Sequence, residues 1–278
     1  MAAAPRRDTR GIVDAAGLLR RVRFRRRTPA PALRPYLEHY WLIDWDLPEP
    51  YTTHVLPHPS VNLVFQRYGT DADPGEPFAE LAGVGRQLDS RKLAGRGRVC
   101  GVQFRPGGFR PFAPGAPVSA WTGRHLPARQ VLPGTAEAAP GILDPRPLGD
   151  DDARVAALDR LLLGLGPAPD PGADLAMALV DRIRTDRDLR RVTDLAAEAD
   201  LSVRALQRLF ATRVGVSPKW VILRYRIHEA LDHAERGTGT DWAALAAGLG
   251  YADQAHLVRD FTHTLGVSPT AYAGAPGG

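Results

Sequence analysis

One pattern occurs twice in the last third of this chain. Leu195-Ala196-Ala197 and Leu245-Ala246-Ala247 each open a segment that closes on Gly-Val-Ser-Pro, at 215–218 and again at 266–269. Between those anchors Leu206, Arg208 and Phe210 recur as Leu257, Arg259 and Phe261, always 51 positions on. Two copies are too few for a solenoid, which needs about three or more stacked units to bury a core. The pattern therefore reads as a duplicated supersecondary unit.

Each copy reads as a short helix, a tight break and a second helix. In the first, Leu195, Ala196 and Ala199 share a face and Leu201 follows the break. Ser202 is suited to cap a helix that turns Leu206, Leu209 and Phe210 inward. In the second, Leu245, Ala246 and Leu249 lead into Gly248-Leu249-Gly250-Tyr251, and Asp253 caps a helix burying Leu257, Val258 and Phe261. Two short helices joined by such a turn make a helix-turn-helix, whose second helix enters the major groove of DNA. Each Gly-Val-Ser-Pro ends one helix at Gly and starts the next with Ser as cap and Pro in the first turn. Between the copies, residues 218–236 place Trp220, Leu223, Ile227, Ala230, Leu231 and Ala234 at three- and four-residue spacing. That spacing predicts one long amphipathic helix. It would set the two units at successive major grooves, roughly 34 Å apart.

With these residues in view, the chain resembles the AraC/XylS family of bacterial transcription regulators. The carriers are Leu195-Ala196-Ala197, Ser202-x-x-x-Leu206-Gln207-Arg208-Leu209-Phe210 and Gly215-Val216-Ser217-Pro218. They continue through Ala246-x-x-Leu249-Gly250-Tyr251, Asp253-Gln254, Leu257-x-Arg259-x-Phe261 and Gly266-Val267-Ser268-Pro269-x-x-Tyr272. Two departures stand out. The family often has Ser and an aromatic where this chain has Ala255-His256-Leu257, and it usually has Arg just after the position of Tyr272, where Ala273 stands here. The resemblance implies double-stranded DNA as partner, RNA polymerase as a further one, and a cytoplasmic bacterial protein.

The apolar members of the repeat are core in any reading, so the exposed ones carry the DNA argument. Arg204, Gln207 and Arg208 fall on the outer face of the first reading helix, and Gln254, His256 and Arg259 on that of the second. Arg and Gln pair bidentately with guanine and adenine edges. These six are the candidate DNA-binding residues.

Charge qualifies the picture. The chain has a formal net charge of +5, as suits a nucleic-acid partner. Yet residues 175–275 hold 13 Lys/Arg against 12 Asp/Glu, while residues 1–30 hold nine Arg and two Asp. The reading helices must rely on local placement of arginine, with no strong general field. The basic leader, residues 1–27, lacks the apolar stretch of a signal peptide and reads as a solvated, disordered extension, with a nonspecific DNA arm as the alternative.

Residues 28–150 read as a β-rich regulatory domain. Val61, Leu63 and Phe65 form one strand pattern, and Cys100, Val102 and Phe104 another that ends at Pro106-Gly107-Gly108. Short strands with Gly/Pro turns favour a small barrel or sandwich. Its Pro57–Phe65 and Gly101–Gly108 segments are similar to the N-terminal domain of a subset of AraC-type regulators. Cys100 points with Val102 and Phe104, so it reads as a buried core thiol. Arg105, beside the Gly-Gly turn, reads as a strand-end surface residue, with an anionic effector as its rival role.

Residues 151–172 read as a helix and Pro-rich linker. Val155, Leu158, Leu162 and Leu165 lie at heptad-like intervals, marginal for a coiled coil. They favour packing on the neighbouring domain with some homodimer contact. Pro167-Ala-Pro-Asp-Pro-Gly172 is stiff, and the DNA-binding domain, 173–278, follows it.

The expected architecture is α+β: a β-rich N-terminal barrel or sandwich, then an all-α domain with two helix-turn-helix units on a long helix. The expected function is sequence-specific transcription regulation, with an unidentified small-molecule effector or dimerisation acting through the front domain. A single cysteine fits a reducing compartment, and no run approaches the roughly 20 apolar residues of a membrane span. No cofactor, metal or catalytic residue is expected. The rival reading is a metal-dependent β-barrel enzyme with an appended DNA-binding module, prompted by His54 and His58. Those histidines flank prolines and lack the His-x-His pair with a following Glu, so they read as turn or surface residues.

Overall fold

A computed structural model describes residues 11–70, 73, 75–143, 150–186, 188–235 and 240–274. The β-rich half is one antiparallel sheet of seven strands: β1 (Ile12–Val13), β2 (Arg23–Arg27), β3 (Leu37–Val55), β4 (Asn62–Gly69), β5 (Phe78–Ala82), β6 (Asp89–Phe104) and β7 (His125–Pro127). The order is β1-β3-β6-β4-β5-β7, with β2 pairing another stretch of β3. The long β3 breaks register between Leu47 and Tyr51, where Pro48 and Pro50 lack the N–H a ladder needs.

Side-chain alternation gives the sheet two different faces. Tyr40, Leu42, Leu63, Phe65, Cys100, Val102 and Phe104 are fully buried on one face and join the main core. Against it pack α2 (Thr135–Ile142) and α3 (Asp151–Leu165). The other face carries Trp41, Ile43, Trp45, Val64 and Val99 beneath the short α1 (Ala15–Leu19).

The segment expected to be a disordered leader is ordered from residue 11, as β1, α1 and β2; residues 1–10 lie outside the described residues. The arginines on one face of β2 have partners. Arg25 donates from Nε to Asp151 at 2.9 Å and binds Asp44, which also accepts from Arg98 at 2.8 Å and Arg154 at 3.1 Å. Arg27 pairs with Asp152. Arg23, Arg25 and Arg27 thus face α3, while Phe24 and Arg26 alternate to the other side. What looks like a charge run in sequence is a strand with one salt-bridged face. Burial works to raise the Asp44 carboxyl, but hydrogen bonds from Arg154 and Arg25 outweigh it and hold it below the usual carboxylate range.

Helix α3 shows why its heptad-like stripe exists. Leu158 and Leu162 are fully buried in the main core, and Val155 and Leu165 pack against it. Each fully buried Leu contributes about 1.5–3 kcal/mol. Tyr40 donates to Asp159 at 2.7 Å and so pins the helix to the sheet. The stripe packs within the chain, Leu158 and Leu162 fully and Val155 and Leu165 in part.

The helical half comprises α4 (Pro171–Thr185), α5 (Val192–Glu198), α6 (Val203–Arg213), α7 (Pro218–Glu235), α8 (Trp242–Gly248), α9 (Gln254–Leu265) and α10 (Pro269–Gly274). The predicted end of the long helix at Arg236 lies outside the described residues. The Pro-rich stretch is no free spacer. Asp170 caps α4 by accepting from Gly172 and Ala173 N–H at 3.0 and 3.1 Å, Pro171 takes the first turn, and Ala168 N–H donates to Pro111 at 2.8 Å. Arg105, at the end of β6, pairs with Asp181 of α4 and donates to the Pro35 carbonyl at 2.9 Å. It ties the two halves together, and no effector role is needed to explain it.

Candidate nucleic-acid interface

The two repeats fold as two helix-turn-helix units, α5–α6 and α8–α9, built by the same local chemistry. In the first turn Leu201 N–H donates to the Ala196 carbonyl at 2.9 Å and Asp200 N–H to Ala197 at 3.1 Å. In the second, Tyr251 donates to Ala246 at 2.9 Å and Gly250 to Ala247 at 3.0 Å. This is the doubled helix-end motif that needs a left-handed residue after the cap. Gly250 supplies it at φ 72°, whereas Asp200 adopts φ 51° without glycine's freedom.

Each second helix then starts on a side-chain cap. Ser202 accepts from Ala205 N–H at 3.1 Å, and Asp253 from His256 N–H at 2.7 Å. Leu206 and Phe210 in α6, and Leu257 and Phe261 in α9, are fully buried. With those positions inward, the opposite faces point to solvent. Arg204, Gln207 and Arg208 are exposed on α6, as are Gln254 and Arg259 on α9. Among the described residues no carboxylate pairs with Arg204, Arg208 or Arg259. His256 differs: it is half-buried, its ring meets Tyr251 edge-on at 5.1 Å, and its Nε2 lies 3.9 Å from Asp260. The structure thus groups the six candidates as two separate triplets. Exposed Arg191, at the start of α5, and Lys219, in the first turn of α7, were not among them. Both are cations beside a helix N-terminus within the repeat, a sequence signal that was available.

Helix α7 is more deeply used than its apolar stripe implies. Val221 and Ile222 join the main core with the first unit; Ile227, Ala230, Leu231 and Ala234 join a second core with the second unit. A third side faces the sheet domain through buried Arg224 and His228. Arg224 donates to the Arg86 carbonyl at 2.9 Å and lies over the Trp220 ring at 4.5 Å. Burial pushes its guanidinium down to about 10. His228 stacks on His58 at 4.1 Å.

The histidines behind the enzyme alternative are not brought together as ligands. His54 Nδ1 bonds Ser90 at 2.8 Å, and His58 meets His228. Among the described residues no group of three His, Cys, Asp or Glu is placed to hold a metal. Cys100 is fully buried, and burial pushes its thiol up to about 12, the opposite of an activated nucleophile. Among the described residues no helix is long and apolar enough to cross a membrane.

Comparison with known proteins agrees with this division of the chain. Residues 195–275 match a helix-turn-helix domain family, and residues 25–127 match a domain of unknown function, DUF6597. No curated protein matches the chain. Among solved structures, it is similar to the DNA-binding domain of AdpA in complex with a target DNA, at 26% identity over 38% of this chain and 93% of that one, with a TM-score of 0.32. The C-terminal domain of AraT from Geobacillus stearothermophilus is 24% identical over 34% of this chain and 83% of that one, TM-score 0.31. ToxT from Vibrio cholerae O395 is 11% identical over 84% of this chain and 96% of that one, TM-score 0.41. The chain thus joins a C-terminal helix-turn-helix domain, the kind that binds DNA, to an N-terminal domain of unknown function.

Proposed function

We propose that α6 and α9 read successive major grooves on one side of the duplex, Arg204, Gln207 and Arg208 in one and Gln254, His256 and Arg259 in the next. The observation that carries this is the duplication itself: two units with the same caps and turns, each exposing its polar face, joined by a single helix. At 18 residues that helix is roughly 27 Å long, on the scale of one DNA turn. Arg191 and Lys219 would meet phosphates, which position without specifying sequence. RNA polymerase is a further partner, and the protein acts in the bacterial cytoplasm as a binding protein, with no enzymatic step.

The sheet domain would regulate the reader through its contacts with α4 and α7, under a small-molecule effector. This reading requires no second copy, because one chain carries both reading helices; a homodimer through the half-buried side of α3 is a further assembly. Selection of duplexes from a random pool by the full chain, followed by competition at fixed salt, tests it. A recovered motif with two half-sites about 10 base pairs apart is expected. Recovery of no motif, or of one half-site only, overturns it.

A further inference from the structure

The sheet face turned away from α2 and α3 walls a cavity of about 560 Å³, inside the roughly 300–1,000 Å³ range of small-molecule sites. Strand register lays out its floor in rows. One row is polar, pairing His39 with Gln103 and Gln103 with Asn62. The next pairs Arg26 with Trp41 and Trp41 with Gly101. Ile43 and Val99 follow, and then Trp45 opposite Gly97.

The two Trp–Gly pairs decide the shape of the floor. A Cβ at Gly101 would stand 1.9, 2.2 and 2.4 Å from three neighbouring ring atoms of Trp41, and one at Gly97 2.0, 2.2 and 2.5 Å from three of Trp45. A point that close to three adjacent ring atoms lies over the ring, so each indole is laid flat across its glycine. The two rings are four residues apart along β3, about 13 Å at 3.3 Å per residue. Flat indoles favour offset stacking with a planar partner.

Charge distinguishes the two ends. The carboxylates on the wall, Glu80 and Asp89, are both engaged by Arg91, at 3.5 and 2.9 Å, and Glu80 also by His125 at 2.8 Å. The opposite end holds Arg26, His39 and His58. Burial, then Arg26 and His58, lower the His39 imidazole to about 3, so at neutral pH it is an uncharged donor beside a cation. The wall also carries the Thr53 hydroxyl, buried and without a partner, the kind of group a ligand completes.

We propose that this cavity binds a flat aromatic acid of one or two rings, stacked on Trp41 with its carboxylate at the Arg26–His39 end and its far edge toward Ile43 and Val99. That end abuts the reader. Pro57 and His58 line the cavity, and His228 of α7 stacks on His58 with its Nε2 3.4 Å from the Pro57 carbonyl. A Cβ on Gly11, at the start of the segment that roofs the cavity through Ile12 and Leu18, would come within 3.2 Å of the same His228 ring. The inference rests on the regulatory reading of this domain, because the acid would act where the cavity meets α7.

The test uses the full-length protein, 2-naphthoate and its neutral analogue 2-naphthalenemethanol, followed by tryptophan fluorescence and calorimetry. One saturable site is expected, with the acid bound about tenfold more tightly than the alcohol, as a charge-assisted contact implies. Arg26→Gln should abolish that preference while leaving alcohol binding unchanged. Val64→Phe, which fills the cavity, should weaken both, with circular dichroism confirming the fold. Absence of saturable binding, an unaltered acid preference in Arg26→Gln, or undiminished binding in a folded Val64→Phe overturns the proposal. Gel shift on a selected duplex separates the two claims. DNA binding without naphthoate binding sinks the ligand and leaves the regulator; naphthoate binding without DNA binding sinks the regulator and leaves the site.

Discussion

The two helix-turn-helix units share their turns and caps and differ in what surrounds them. Val214 and Val216 of the first unit lie in one core with Phe112 and Val118 of the sheet domain, and Thr122 donates to the Gly215 carbonyl at 2.7 Å. The second unit has a core of its own, where Leu56 is the one fully packed contribution from the sheet domain among its buried members. The repeated Gly-Val-Ser-Pro makes the contrast local. A Cβ on Gly215 would come within 2.9 Å of both Val118 and Thr122, whereas one on Gly266 would meet nothing within 4 Å. A duplicated sequence has thus acquired one unit fixed to the sheet domain and one carried mainly by α7.

The largest expected effects test that division. Phe210→Ala and Phe261→Ala each empty a fully buried position and should cost about 3–5 kcal/mol. Phe210→Ala should lower a transition that the sheet domain shares, because the core is common. Phe261→Ala should instead split off an early transition confined to residues after 226. Native-state hydrogen exchange reads this directly; protection lost equally in both domains for Phe261→Ala breaks the comparison.

The glycine pair sharpens it. Both glycines have positive φ, 96° at Gly215 and 78° at Gly266, so alanine at either place carries a backbone cost of about 1–2 kcal/mol. Only at Gly215 does the new methyl also collide. Gly215→Ala should therefore lose more stability in urea than Gly266→Ala. Equal losses would mean that the contact with Val118 and Thr122 yields freely.

On DNA the units should be equivalent despite their different settings. Arg208→Ala and Arg259→Ala should each cost about 1–3 kcal/mol on the cognate duplex and much less on random DNA, as befits a lost bidentate base contact. The losses should be nearly additive, since the two residues share no partner. Competition binding at fixed salt decides it. An equal loss on both duplexes would make that arginine a phosphate anchor.

Much of the helical half was legible because its signals are local. Ser202, Asp253 and the two Gly-Val-Ser-Pro stops need only neighbouring residues to act, and each acts as expected. The sheet was harder. Strand β3 holds Tyr40-Trp41-Leu42-Ile43, apolar on both faces because one meets the helices and the other the cavity, so period-2 alternation is hidden. The arginines at 23, 25 and 27 resemble a solvated run because their partners, Asp44, Asp151 and Asp152, are distant in sequence. The polar flank of α7 was invisible for the same reason: Arg224 and His228 are buried by contacts with residues 57–58 and 86, which no helical periodicity encodes.

The smallest effect concerns the tie that the first unit alone receives from the start of α4. Asp170 accepts from the α4 N-terminus and from Arg213 of α6 at 3.2 Å. Burial works to raise its carboxyl, but the Arg213 guanidinium and the Ala173 and Gly172 N–H groups outweigh it, so the folded-state value lies below the ordinary one. A carboxyl depressed on folding contributes stability above its unfolded value, near 4, and loses it as pH falls further. Asp170→Asn keeps a capping oxygen and removes the charge. At pH 7 it should cost about 1–2 kcal/mol, the scale of a hydrogen bond to a charged group. As pH falls below about 4 the gap between the two proteins should narrow, because protonation removes the same charge from the wild type. Urea unfolding at both pH values measures the gap. A constant difference would show that Asp170 acts through cap geometry alone, and that the first unit owes its firmer seat wholly to the apolar core it shares.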